Sequence, residues 1–153
     1  MKLENCVLTS QTDVKLIDFG SAIELFESKT YSNTGNLRGT SLYLAPECWT
    51  GTYSPASDIW ALGVLLCFIL FLTAPFNANT RNELKEKICA ALEIKKSKGI
   101  SFVTKFCARR FISEECKDFL AKVLEVDYEQ RISSEEALNH PWIKKYSANG
   151  MVS

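Results

Sequence analysis

The sequence holds a single histidine, His140, and no Cys-x-x-Cys pair. Without a cluster of ligating side chains, neither a metal centre of the zinc type nor a Ser-His-Asp triad is supported. His140 therefore reads as a satisfied core residue. Net charge is also missing: 18 acidic residues balance 18 basic ones. That balance gives no reason to expect nucleic acid or an anionic membrane as the main partner. No apolar run reaches the roughly 18–20 residues that a bilayer span needs. The apolar stretch Ile59–Leu72 is 14 residues long and is expected to be a buried helix. Residues 1–13 are mostly polar and do not read as a secretory signal, so the expected location is cytoplasmic or nuclear. Internal repeats and low-complexity segments are absent.

What the sequence does contain is enough for one compact domain: 153 residues of ordinary apolar content. Its six cysteines, Cys6, Cys48, Cys67, Cys89, Cys107 and Cys116, are expected as reduced, buried thiols. Cys6–Thr9 and Val14–Ile17 are short β-rich runs around the turn-like Ser10–Asp13, which predicts a hairpin. Residues 24–41 show no periodicity and read as a long loop, a type more often functional than idle. Four helices follow. Asp58 opens the first, with Ile59–Leu72 as its body. Thr80-Arg-Asn-Glu83 is a capping box for the second. The third starts near Ser113, with Cys116, Phe119, Leu120, Val123 and Leu124 on one face. Ser133-Ser-Glu-Glu136 caps the fourth, which ends before Pro141. The fold class is mainly α with a small β-hairpin, and Lys144–Ser153 reads as a polar tail that frays.

Chemistry concentrates at the hairpin. Asn5 precedes its first strand and Asp18 follows its second, so strand pairing brings both to one mouth. An amide oxygen and a carboxylate converging there suit Mg²⁺, which keeps waters and borrows phosphate oxygens for its other positions. Gly20 is expected to permit the sharp turn that leaves the site.

Several motifs in order carry a resemblance. Lys2-Leu-Glu-Asn5 looks like the second half of a catalytic loop, and Asp18-Phe19-Gly20 like a metal-binding turn. Gly39-Thr40 and Tyr43-Leu44-Ala45-Pro46-Glu47 look like the end of an activation segment. Asp58-Ile-Trp60-Ala-Leu-Gly63, Asp127-Tyr-Glu-Gln-Arg131 and Ala137-Leu-Asn-His-Pro-Trp142 complete the set. Together they resemble the large, C-terminal lobe of the eukaryotic-type serine/threonine protein kinase domain, an α+β fold. The details are most like the calcium/calmodulin-dependent and AMP-activated-like groups. The resemblance spans residues 2–142, and the partial domain is placed at 1–143 with a tail at 144–153.

The resemblance implies ATP and protein substrates as partners, with no nucleic acid and no membrane. It implies Mg²⁺ as cofactor, with Asn5 and Asp18 as metal ligands and Gly20 beside them. Lys2 and Thr40 become the catalytic residues. Lys2 would offset charge on the γ-phosphoryl oxygens, and the Thr40 hydroxyl would support the catalytic loop. It further implies a buried Glu47–Arg131 ion pair and an Asp58 that anchors the catalytic-loop backbone. Trp60, Pro141 and Trp142 are packing residues. Three before Gly39, where related kinases carry a phosphothreonine, stands Asn36, which leaves Thr30, Tyr31, Ser32 and Thr34 as phosphorylatable residues.

The His-Arg-Asp of the catalytic loop, the glycine-rich phosphate cover and the lysine–glutamate pair do not occur in these residues. The chain alone is therefore expected to transfer no phosphate and to leave apolar surface on Ile59–Leu72 uncovered. The alternative is a non-catalytic kinase-lobe binding module.

Overall fold

The computed structural model describes residues 1–11, 13–25, 30–32, 40–99, 101–108 and 111–146. After a 3-10 turn at Leu3–Asn5, β1 (Cys6–Leu8) pairs antiparallel with β2 (Val14–Leu16), with Cys6 opposite Leu16 and Leu8 opposite Val14. The Ser10 hydroxyl donates to Asp13 at 2.6 Å and accepts from the Asp13 N–H at 3.0 Å, which closes the turn. A second small sheet pairs β3 (Tyr31–Ser32) with β4 (Thr52–Tyr53). Sequence periodicity gave no hint of β3 inside the stretch expected to be loop. It forms because Tyr31 lies opposite Tyr53, ring centroids 6.4 Å apart, and such aromatic cross-strand pairs stabilise even a two-residue ladder.

Among the described residues six α-helices follow: α1 (Pro55–Phe71), α2 (Arg81–Lys98), α3 (Phe102–Cys107), α4 (Glu114–Val123), α5 (Ser134–Leu138) and α6 (Pro141–Tyr146). The expected caps hold for three of them. Thr80 accepts from Glu83 N–H at 3.2 Å, Ser113 from Cys116 N–H at 3.2 Å, and Ser133 from Glu136 N–H at 3.2 Å. Three expectations need correction. First, α1 starts at Pro55 rather than Asp58, because Pro is favoured at the first helical position and Ser57 Oγ accepts the Ser54 N–H at 3.1 Å. Second, α3 was not expected at all. Third, α6 carries the chain in helix through Tyr146, where a fraying tail from Lys144 was expected; residues 147–153 lie outside the described residues.

The core is built around α1. Trp60, Val64 and Cys67 are buried in one core with Leu120 and Val123 of α4 and with Leu124 just after it. The two helices approach so closely at Gly63 that an added Cβ would stand 2.7 Å from Leu124 Cδ2. None of the six cysteines, all among the described residues, forms a disulfide. Cys48, Cys67, Cys107 and Cys116 are buried as expected, but Cys89 is exposed on α2 and Cys6 half-buried. Burial pushes the Cys48 and Cys116 thiols up to about 11, so both stay protonated. The expected uncovered apolar surface is present at the end of α1, at Ile69, Leu70 and Leu72, and also on the hairpin.

Candidate functional site

The hairpin register sets Asn5 opposite Ile17, whose N–H donates to the Asn5 carbonyl at 2.9 Å. Asp18 therefore lies one residue past the paired positions. Its backbone turns into the left-handed region at φ 61°, a conformation that only Gly, Asn and Asp visit with any ease. That turn brings its carboxylate back to the hairpin mouth, where Asn5 Nδ2 donates to Asp18 Oδ2 at 3.4 Å. The other oxygen, Oδ1, accepts the Gly20 N–H at 3.2 Å.

The role expected of Gly20 is corrected by this arrangement. The left-handed residue is Asp18, and Gly20 is not among the positive-φ residues. Its missing side chain matters for space instead, since a Cβ there would sit 3.2 Å from Asp18 Oδ1. Glycine lets the carboxylate close onto the backbone amide and be held in place.

Lys2, Asn5, Asp18 and Thr40 line one open cleft of about 700 Å³ between the hairpin and the start of α1. Asp58 and Tyr43 line it too. Gly20 is not part of its wall. Gly39, Thr34 and Asn36 lie outside the described residues. Thr30 is exposed, and Tyr31 and Ser32 are held in β3.

Tyr43 anchors the Lys2–Asn5 turn: its buried ring bears a hydroxyl that accepts the Leu3 N–H at 3.4 Å, and its centroid lies 6.0 Å from that of Phe68 on α1. Burial pushes the Tyr43 hydroxyl above its usual range, so it remains a neutral phenol. Sequence reading used Tyr43 only as part of a motif. The rule that buried tyrosines seek a partner for their hydroxyl is the signal that could have found its anchoring role. Asp58 Oδ1 lies 3.6 Å from the Met1 nitrogen, an exposed contact that adds little stability.

Behind the cleft, Glu47 and Arg131 form the buried pair that the motifs implied. Arg131 Nη1 donates to Glu47 Oε1 at 2.8 Å and Nη2 to Oε2 at 3.0 Å, with the side chains 0% and 4% exposed. Further bonds fix both partners. Nε reaches the Glu125 carbonyl at 2.7 Å, Nη1 the Ala56 carbonyl at 2.7 Å, and Ser57 Oγ donates to Glu47 Oε1 at 2.8 Å. The pair thus joins the segment after Thr40, the start of α1 and the turn after α4.

A protein kinase domain family matches residues 1–143 of the chain. Among curated relatives, Calcium-dependent protein kinase 5 of Plasmodium falciparum (isolate 3D7) is 30% identical over 99% of this chain and 25% of its own length. Serine/threonine-protein kinase PEPKR2 of Arabidopsis thaliana is 33% identical over 96% of this chain and 29% of its own. Calcium-dependent protein kinase 12 of Oryza sativa subsp. japonica is 33% identical over 97% of this chain and 26% of its own. The chain thus spans about a quarter of the length of these relatives. Match, motifs in register and the Glu47–Arg131 bridge agree: the chain belongs to the protein kinase domain family, with serine/threonine protein kinases as its relatives.

Proposed function

We propose that these residues form part of the phosphate-transfer site of a serine/threonine protein kinase that moves the γ-phosphate of ATP to protein hydroxyls. The observation that carries this reading is the meeting of Asn5 and Asp18 at 3.4 Å, in a cleft shared with Lys2 and Thr40. The donor set fits Mg²⁺. Both side chains offer hard oxygens, two protein ligands leave room for water and phosphate, and the cradle at Gly20 fixes the carboxylate. When bound, the ion neutralises charge on the phosphate oxygens. Asn5 must then present its amide oxygen in place of the nitrogen that now donates to Asp18. Lys2 supplies a positive charge to the transferred group, and Thr40 supports the loop that carries Lys2. ATP and Ser/Thr-containing proteins are the proposed co-substrates.

The 153 residues contain no His-Arg-Asp segment. No residue of the described cleft takes the part of an aspartate that accepts the substrate proton. By themselves they should therefore transfer no phosphate. The test has two arms. Mn²⁺ added to the chain should broaden the NMR signals of Asn5 and Asp18 selectively, and Asp18→Asn should remove that effect; equal broadening in the variant would sink the metal assignment. In a domain completed upstream from one of the relatives, Asp18→Asn should lower kcat about 10²–10³-fold or more while the melting curve stays in place.

The second reading, a non-catalytic kinase-lobe binding module, is favoured by the exposed apolar residues Leu8 and Val14 on the hairpin and Phe19 at the cleft. It predicts that the completed domain gains partner affinity but no transfer activity.

A further inference from the structure

We propose that His140 is a proton-operated latch that holds α6 on the domain while its imidazole is neutral and releases it on protonation. The ring sits at the entry to α6 with its side chain 3% exposed. Its Nε2 faces Asp118 Oδ2 of α4 at 2.9 Å, and its Nδ1 accepts the Trp142 N–H at 3.2 Å. A carboxylate can only accept, and a backbone N–H can only donate. The arrangement therefore defines one tautomer: hydrogen on Nε2, lone pair on Nδ1. Both ring nitrogens are satisfied, and the first turn of α6 is pinned through the histidine to α4.

A second proton has one place to go, Nδ1, where it meets the Trp142 N–H head on. The accepting lone pair is lost and two donors face each other inside the protein, a conflict that ends only when one of them moves. The charged groups around the ring do not remove this conflict. On α4, Asp118 favours the imidazolium, but it is 54% exposed and already bonded to Lys122 at 2.8 Å. Lys122, and then His140, hold the Asp118 carboxyl below its usual range, so it stays ionised while histidines titrate. From α5, Glu136 shares a small cavity with His140 and Lys122. On α6, Lys145 bridges to Glu115 of α4 at 3.8 Å, and the Lys144 N–H donates to the His140 carbonyl at 3.0 Å. The Glu136 Oε2 already accepts the Ser133 N–H and hydroxyl, both at 2.8 Å, and the bond described at Nδ1 is the one from the Trp142 N–H.

Release would uncover Phe119, whose ring meets His140 edge-on and Trp142 at a tilt, with centroids 5.1 Å apart in both contacts. Acid would thus expose an aromatic surface midway along α4 without touching the cleft.

The full chain tests this directly, because His140 is its only histidine. Hydrogen exchange of peptides covering 142–146 is followed between about pH 7.5 and 5, with intrinsic rates divided out. Protection should fall on acidification by up to about tenfold per pH unit, the limit for one linked proton, while α4 peptides keep theirs. The variant His140→Gln should show no pH dependence in 142–146. Since that variant could fail to dock α6 at any pH, ¹⁵N NMR of the wild-type imidazole gives an independent reading. Nδ1 should lack a proton while α6 is protected and gain one over the same pH span in which protection is lost. An imidazole that gains its proton while α6 stays protected overturns the latch, as does an unchanged pH profile in a folded His140→Gln variant.

Discussion

Glu47 and Arg131 stand 84 positions apart, and their pairing decides more of the local geometry than any contact between neighbours. Every donor direction that Arg131 uses ends on a fixed acceptor. Removing the guanidinium would leave the Glu47 carboxylate buried with Ser57 alone. Arg131→Met should therefore destabilise the fold by about 3–5 kcal/mol, whereas Lys122→Met, at the exposed Lys122–Asp118 bridge, should cost less than about 1 kcal/mol. Urea titration of both variants measures the difference, and near-equal values would show that burial is not what gives the pair its weight. The long-range pairing was legible in sequence only through the motif resemblance, since nothing local to Glu47 points to Arg131. The Asn5–Asp18 meeting was legible from the hairpin itself. The left-handed turn that completes it was not: Asp-Phe-Gly invites the assumption that the glycine takes the strained position. The structure gives that position to Asp18 and uses Gly20 for clearance.

Helix starts were read well where a capping residue precedes a visible helical period; the starts of α1 and α3 were missed although Ser57 and Ser101 also make capping bonds there. Ser113 and Ser133 announce α4 and α5 by their own hydrogen bonds. α3 spans only Phe102–Cys107, too few residues for a helical period to show, and Phe102 and Phe106 hold it against Phe76, Trp60 and Phe71. At α5, Glu136 Oε2 accepts the Ser133 N–H and hydroxyl, both at 2.8 Å. These bonds hold the Glu136 carboxyl below its usual 4.5. A carboxyl depressed in the folded state stabilises above the unfolded value and loses that support as pH falls through the folded one. The Ser133 amide shift should accordingly titrate with a midpoint below 4.5, and Glu136→Gln should abolish the step. A midpoint at or above that value would mean the box is open in solution. The other end of a helix gives a separate test. α1 closes on Leu72, held at φ 55° with its side chain 90% exposed. A branched residue gains nothing there from burial and strains the backbone. Leu72→Gly should raise stability by roughly 0.5–1 kcal/mol after the extra chain entropy of glycine is counted. A loss of stability would show that the leucine makes a contact in solution.

The whole molecule joins a well-packed helical body to a hairpin with little support. β1 and β2 have three residues each, and apart from half-buried Cys6 every strand residue is exposed. Leu8 is 70% exposed, Val14 58% and Phe19 69%. Two strands wet on both faces are marginal alone, and this pair is fastened mainly through Cys6 and the Leu3–Tyr43 hydrogen bond. The hairpin should open long before the core. Its amides should exchange orders of magnitude faster than those of α1 and α4, because local opening needs only the free energy of the local contacts. Asn5 and Asp18 stand at the base of this hairpin, so whatever covers it also sets how firmly a cation can be gripped. Uncovered, its apolar side chains and open strand edges favour association between copies. Leu8 and Val14 face each other across the ladder, which allows a clean test. Leu8→Lys with Val14→Glu replaces two exposed apolar groups by a cross-strand pair of opposite charge. Sedimentation should then show less concentration-dependent association, with the core melting temperature unchanged. If association persists at full strength, the sticky surface lies elsewhere, and the end of α1 at Ile69 and Leu72 is the next place to charge.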